Sequence, residues 1–443
     1  MAKEEQREVE VAIVGAGLSG LMAAERLVVE HGIESVLVVE ARDRTGGRIF
    51  DREATGGLVV EGGAQFVGDG QDRLSELLER LGLKTFPAPV PGKFRWLQEI
   101  LGLRFGLSPN VVEPASFESL REEVETLSQT VPLRAPWGAP DASYYDSLSV
   151  RDWLAQVKSR SSRTLPPLER LCLYHIGCDP SEISMLYLLY FLHGVGGYHS
   201  AVRGAHARRV VGGPQQICDR LAERLGTDRI RTGTPVRRVE TTDSEVVLHA
   251  DGLQLRARRV IFTLQPQLCA RIEFDPPLPA DRQQLQAEYG TQHGRASKVH
   301  LIYDKPFWRE RGYSGSAVTT NGVVFLDASP PDTSAGVLLA FRDTRNPKHA
   351  TNRLPRYARS LFGSPAGKPQ AVVETDWSAD EYSRSCISFT PPGLLTAAGE
   401  ALRRPHGRFH WAGAETSVEW PAFMEGAVRA AERAVDEVVG AGP

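Results

Sequence analysis

Six residues near the start of the chain, Gly15-Ala16-Gly17-Leu18-Ser19-Gly20, follow an apolar run and open a helical pattern. Glycines at the first two glycine positions let backbone N–H groups approach a pyrophosphate at a helix N-terminus, where a Cβ would stand in the way. Glu40 lies 20 residues beyond Gly20, at the end of a second apolar run. A carboxylate there can accept the ribose hydroxyls of an adenosine. The glycine turn alone also suits a plain α/β domain, but strand, turn, helix, strand and acid together point to a bound dinucleotide. Arg42 and Arg48 lie close behind; as guanidinium forks they suit a pyrophosphate, and ordinary surface arginines are the competing reading. Glu61 stands just before the turn Gly63-Ala64-Gln65-Phe66, and Lys298 lies in the alternating stretch "SKVHLIYDKPFW". A carboxylate like Glu61 could bind a substrate ammonium or accept a proton, or only hold nearby backbone N–H groups.

These residues need a frame. Residues 8–14 read as a buried strand, "LSGLMAAERLVVEHG" as a helix stopping near Gly32, and "SVLVVE" as a second buried strand. This is a βαβ unit, expected in a parallel, doubly wound sheet. Residues 72–82 predict a short amphipathic helix, and the Pro- and Gly-containing "FPAPVPGKFRW" marks an exit from the first domain. From about 84 to 200 the chain reads as mainly helical. Short β-like runs return after "RRVVGGPQQICDRLAERLG", over residues 236–264, residues 295–345 alternate as in a second sheet, and the last stretch reads strand, Gly turn, long helix.

Composition narrows the function classes. Lys plus Arg number 52 against 55 Asp plus Glu, a net charge of −3 that gives no reason to expect nucleic acid or an anionic membrane as partner. The five cysteines, Cys172, Cys178, Cys218, Cys269 and Cys386, are scattered and lack metal-ligand spacing, so neither a disulfide framework nor a metal site is expected. The charged opening "MAKEEQREVE" is unlike a signal peptide, and no window is apolar over the roughly 18 residues a membrane span needs. The expectation is a soluble cytoplasmic protein.

The residues just after Glu40 separate one dinucleotide from another. The run "EARDRTGGR", with Arg42, Gly46, Gly47 and Arg48, resembles the second dinucleotide signature of the flavin-containing amine oxidase family, which includes monoamine, polyamine and L-amino-acid oxidases. Further blocks resemble that family in its order: "VVEGGAQFVGDGQDRLSELLERLGL", "GCDPSEISMLYLLYFLHGVGG", "HARRVVGGPQQI", "SKVHLIYDKPFW", "TDWSADEYSRSCISFTPPGLLTAAG" and "RFHWAGAETSVEWPAFMEGAVRAAERA". They span most of the chain, apart from about 84–165 and 311–370.

The resemblance implies an α/β fold: a Rossmann-like FAD-binding domain from residues 1–83, 203–290 and 374–443, with a substrate domain of mixed sheet and helices from 84–202 and 291–373. It implies FAD contacts at Gly15, Gly17, Gly20, Glu40, Arg42, Gly47, Arg48, Gly63, Ala64, Gln65, Phe66, Val236, Gly413, Glu415 and Met424, with Trp377 beside the isoalloxazine. It places Lys298 where the family holds a water against flavin N5 and assists electron transfer to oxygen. The implied reaction is oxidation of a C–N bond to an imine by hydride transfer to flavin N5, with O2 reduced to H2O2. An amine or amide is then the small-molecule substrate, and a homodimer is an open alternative.

Several positions depart from the pattern or sharpen it. The family's simple amine oxidases often flank the amine with two aromatic side chains, but here the positions are Ile387 and Phe423, at most half a cage. Tyr198 is a further candidate for the substrate side, whereas its neighbours His193 and His199 read as satisfied core or surface groups. From Cys386 to Gly393 the chain is one residue shorter than in monoamine oxidases that link a cysteine to the flavin, which favours non-covalent FAD. At Glu61 polyamine oxidases carry an active-site glutamate. A specialised biosynthetic oxidase whose imine is captured in a ring closure, as in lankacidin-type enzymes, and a non-catalytic FAD-binding scaffold are the alternative readings. L-Amino-acid oxidation is weaker, because no convincing arginine presents itself for the substrate carboxylate.

Overall fold

The computed structural model describes residues 5–88, 90–100, 103–107, 115–157, 167–242, 244–290 and 296–440. Residues 1–4, part of the opening read as unlike a signal peptide, lie outside them. The twenty strands of the described residues run β1 Glu5–Val14, β2 Val36–Val39, β3 Asp51–Glu53, β4 Val59–Glu61, β5 Phe66–Val67, β6 Thr85–Pro87, β7 Lys93–Ile100, β8 Leu103–Leu107, β9 Arg208–Val210, β10 Ile230–Arg231, β11 Val236–Thr241, β12 Val246–Ala250, β13 Leu253–Phe262, β14 Glu273–Asp275, β15 Ala296–Tyr303, β16 Tyr313–Thr319, β17 Val324–Asp327, β18 Gly336–Asp343, β19 Ala371–Asp376 and β20 Phe409–Trp411.

The first sheet has the order β10-β2-β1-β13-β12-β11-β14, with β20 also paired to β13. Its centre is parallel: Ile13 lies opposite Val38 on one side and Ile261 on the other. All four residues of β2 are buried, as expected of a strand covered on both faces. Helix α1 (Leu18–Val29) crosses from β1 to β2 and packs against the helix Met424–Gly440. Helix α2 (Asp72–Arg80) adds Leu74, Leu77 and Leu78 to the same core, which also holds Ile217 and Leu221. One apolar core is thus assembled from the beginning, the middle and the end of the chain.

The second sheet has the order β19-β15-β18-β17-β16-β7-β8. It differs from the sequence reading, which made residues 84–200 mainly helical. The stretch Lys93–Ile100, "KFRWLQEI", has the two-residue period of a strand; β7 lies parallel to β16 and antiparallel to β8. Strand β6 also falls in that segment, and from residue 115 on its regular elements are helical where described. The helix Met185–Gly194 is buried from Met185 through Leu192 and centres a helical cluster that includes Val124, Trp153 and Trp420. Two small sheets, β3-β4 and β5-β9-β6, complete the strand pairings.

Candidate functional site

β1 ends at Val14, and the chain turns into α1 through Gly15, at φ +105, which L side chains rarely adopt. A Cβ on Gly15 would lie 2.5 Å from Thr263 Oγ1, and one on Gly20 would lie 1.9 Å from the Gly15 carbonyl oxygen. Packing within the protein therefore requires both glycines. Gly17 differs. Its φ of −73 is open to any residue, and a Cβ there would meet nothing nearer than 3.9 Å. Gly17 caps α1 without a side-chain hydrogen bond, and the first turn carries no acid. The helix thus leaves its N-terminal N–H groups and positive dipole end to an outside anion.

The acid expected after β2 is buried beside this turn. Glu40 Oε2 accepts from Ala16 N at 2.8 Å and Oε1 from Arg42 N at 2.9 Å. Those bonds fix the carboxylate at the carboxyl end of the parallel strands, where ligands of doubly wound sheets bind. The Arg42 guanidinium pairs with Asp380 and donates to Ser383 Oγ at 2.7 Å. Arg48 donates to both oxygens of Glu415, at 2.7 and 3.0 Å, and to the Cys386 carbonyl at 3.1 Å. Burial pulls the Arg48 pKa down, but the facing Glu415 outweighs it and the net shift is upward. Gly47, at φ +58, sits so that a methyl there would stand 3.3 Å from Gly17 Cα. Val236 opens β11 opposite Ala250, and Met424 opens the last helix, buried. Gly413 follows β20 and precedes the single turn that holds Glu415. Gly15, Glu40 and Gly413 thus each lie just past the carboxyl end of a strand of the first sheet, β1, β2 and β20.

Lys298 comes from the second sheet. It lies on β15 between Phe341 of β18 and Thr375 of β19 and is 3% exposed. Its Nζ donates to the Glu61 carbonyl at 2.7 Å, the Gly63 carbonyl at 2.8 Å and Gln65 Oε1 at 2.8 Å, which engages all three of its protons. Burial pushes its pKa down to about 8, against the opposing pull of Glu61. The turn Gly63-Ala64-Gln65-Phe66 is held from the other side as well. Gly63 N donates to the Phe50 carbonyl and Ala64 N to the Arg48 carbonyl, and Trp377 Nε1 donates to the Gly62 carbonyl at 2.9 Å.

The Glu61 side chain is committed elsewhere. Its Oε1 accepts from Arg209 Nε at 2.9 Å and Nη2 at 2.6 Å, and its Oε2 from Nη2 at 2.7 Å. Both residues are buried. The carboxylate anticipated as a proton acceptor or ammonium partner therefore stands in a buried ion pair. Sequence reasoning missed Arg209, which lies in "HARRVVGG" next to a second arginine. No local signal marks it: β9 is three residues long, with Arg208 half-buried and both Arg209 and Val210 buried.

On the helical side, Ile387 and Phe423 are half-buried against the cluster around Met185–Gly194. The Phe423 ring stacks on Phe191 at 6.2 Å and meets Trp420 edge-on at 5.3 Å. Tyr198 packs on that cluster too, its N–H donating to Glu125 at 2.8 Å. His193 is turned away to the Val131 carbonyl at 2.7 Å. The Phe66 ring meets His206 at 4.7 Å, and His206 lies 5.4 Å from His175, whose pKa burial pushes down to about 3. Among the described residues no cluster of metal-ligating side chains occurs, and no helix is long and apolar enough to cross a membrane.

The glycine turn and the buried acid make a dinucleotide cradle on a doubly wound sheet, and a buried lysine reaches the Gly63 turn from a second sheet, an arrangement suited to a flavoprotein oxidoreductase. FAD fits the residues present, because a Cβ on Gly17 would meet no protein atom nearer than 3.9 Å and the first turn of α1 has neither an acid nor a side-chain cap. Comparison with known proteins agrees. The description of the flavin containing amine oxidoreductases matches residues 18–439, and the chain belongs to that family of FAD-dependent enzymes acting on amines. AofH of Mycobacterium tuberculosis, to which a flavin-containing monoamine oxidase activity is ascribed, is 36% identical over 97% of this chain and 96% of its own. The flavin-containing amine oxidase A of Canis lupus familiaris is 32% identical over 100% and 88%. Among solved structures, cyclohexylamine oxidase from Brevibacterium oxydans superposes with a TM-score of 0.90 at 33% identity, covering 98% of this chain and 99% of that one.

Proposed function

We propose that this chain oxidises small primary monoamines with an apolar substituent, giving an imine that water hydrolyses, while O2 becomes H2O2. The observation that carries the oxidase reading is Lys298, a buried ammonium aimed at the turn that comes after the cofactor-binding strands. FAD held by Gly15, Gly17, Glu40 and Arg42 would supply the two-electron acceptor and, once reduced, pass those electrons to O2. The chain's own residues do the rest. The apolar cluster behind Phe423 and Ile387 excludes water, which favours the neutral amine whose α-carbon can give up a hydride. Phe423 orients the substituent, and Ile387 leaves the second side of the amine without an aromatic wall. Lys298 offers a positive charge where negative charge develops as O2 takes up electrons and, with two protons, becomes H2O2.

Two further features support this reading. Glu61 is occupied by Arg209, so β4 presents no carboxylate for a second ammonium, which favours monoamines over diamines. Burial raises the Cys386 thiol above its ordinary range, which disfavours the thiolate needed for a covalent link and supports non-covalent FAD. The core shared by α1, α2, Ile217 and the last helix supports an FAD-binding domain assembled from three stretches of chain.

The test is anaerobic bleaching of the flavin absorbance by cyclohexylamine, benzylamine, putrescine and an N-acylated amine. Fastest bleaching by the first two is expected. Putrescine ahead of both would overturn the monoamine assignment, bleaching by the acylated amine alone would favour the biosynthetic reading, and none at all the scaffold.

A further inference from the structure

The fork of Arg209 touches no residue assigned above to substrate or cofactor except Glu61, yet it is buried at 3% exposure. Besides gripping both oxygens of Glu61, its Nη2 donates to the Ala328 carbonyl at 3.0 Å, and the guanidinium faces the Phe86 ring at 5.1 Å. Arg209 is therefore anchored to β9, to the residue after β17 and to β6 at once. Glu61, at the end of β4, uses its side chain for Arg209 and its carbonyl for Lys298. Two residues on, the Gly63 carbonyl takes a second proton of the same ammonium.

We propose that Arg209 is a positioning residue for Lys298: by clamping the Glu61 side chain it fixes the two main-chain carbonyls, of Glu61 and Gly63, that hold the lysine ammonium. The physical reason is geometric. A planar fork making two contacts removes the rotation about the Glu61 side chain that a single-point contact would leave. A buried ammonium stays charged only while its acceptors stay in place. The charged and titratable groups around Lys298 are Glu61, Asp51, Arg209 and Cys386, with His300 two residues along the same strand. Lysine at position 209 would keep the charge pattern and lose the fork, which separates positioning from plain electrostatics.

The inference rests on the proposed role of Lys298 at the oxygen step, and its test reads the lysine itself. The chain has eight lysines, so selective 13Cε-lysine labelling gives a tractable NMR spectrum, in which Lys298→Met identifies the Lys298 signal. In the FAD-loaded wild type the Lys298 resonance should titrate with a midpoint near 8. In Arg209→Lys, with the carbonyls loosened, the midpoint should fall by about one pH unit, a tenfold loss of proton affinity. The pH above which reduced flavin reoxidises slowly should fall with it, while anaerobic bleaching by amine changes less than about twofold, a difference too small to count as a lost interaction. Arg209→Gln removes a charge that by itself depresses the Lys298 pKa, so electrostatics alone would raise the midpoint; a fall is expected from the lost clamp, and this variant serves if Arg209→Lys does not fold. A midpoint in Arg209→Lys equal to wild type overturns the proposal. If no amine bleaches the flavin but the midpoint still falls, the positioning stands and the oxidase reading fails.

Discussion

Replacing Gly17 with alanine separates a glycine required by a ligand from one required by packing. In the folded chain the added methyl has no neighbour nearer than 3.9 Å, and the φ of −73 is ordinary, so the fold accepts it. Loss of a favoured N-cap glycine and gain from a stiffer unfolded chain are each about 1 kcal/mol or less and oppose one another. Stability without FAD should therefore stay within about 1 kcal/mol of wild type. Binding is another matter, because the methyl occupies the space through which a pyrophosphate reaches the N–H groups of α1. Losing a hydrogen bond to a charged group costs about 1.5–3 kcal/mol, or roughly 10- to 150-fold in Kd. Gly20→Ala is the control. Its Cβ would stand 1.9 Å from the Gly15 carbonyl oxygen, so it should lower the apoprotein's melting temperature by several degrees. The assay is fluorescence titration of apoprotein with FAD beside thermal unfolding of the same samples. Unaltered FAD affinity in Gly17→Ala, or a loss of apoprotein stability matching that of Gly20→Ala, would refute the reasoning.

Acid precipitation of the holoprotein should leave the flavin in the supernatant, in wild type and in Cys386→Ala alike; flavin retained in the wild-type pellet alone would show a covalent link at Cys386. Ile387→Tyr supplies the missing aromatic wall, and an aromatic pair is worth about 0.5–1.5 kcal/mol, so kcat/KM for benzylamine should rise roughly 2- to 12-fold against that for a linear alkylamine. No change in that ratio would place Ile387 away from the substrate. Trp377→Phe removes the donor to the Gly62 carbonyl and should cost about 1–3 kcal/mol in denaturant unfolding, with the slope unchanged. Because the folded pKa of Lys298 lies below its ordinary value, the unfolded chain holds that proton between about pH 8 and 10.5, and stability rises with pH through that window. In Lys298→Met this part of the rise should vanish; an unchanged slope would place the lysine in a more solvated setting.

The parts of the molecule readable from sequence are those whose partners lie close along the chain. Gly15, Gly20 and Glu40 sit within 26 residues, and the requirements of turn, helix and strand are all local. Lys298 was readable only through the family resemblance, since its acceptors Glu61, Gly63 and Gln65 lie more than 230 residues away. Arg209 was invisible for a similar reason: a long-range ion pair leaves no periodic trace at either end, and Glu61 by itself reads as a free acid. Arg48 and Glu415 show a related limit. Each was expected at the cofactor, and the structure pairs them across 367 residues. β7 and β8 were missed because a strand alternating charged with apolar residues, between helical segments, offers only a short two-residue period to read.

The cofactor cradle closes on itself late in the chain. β20 is laid beside β13, and the helix Met424–Gly440 covers α1 and α2, so the walls around Gly17 are completed by residues 409–440. During synthesis the first βαβ unit emerges hundreds of residues before the elements that bury it. Until then its apolar faces lack the partners that bury them. A chain cut before β20 would carry the whole fingerprint from Gly15 to Glu40 and yet have an unfinished core.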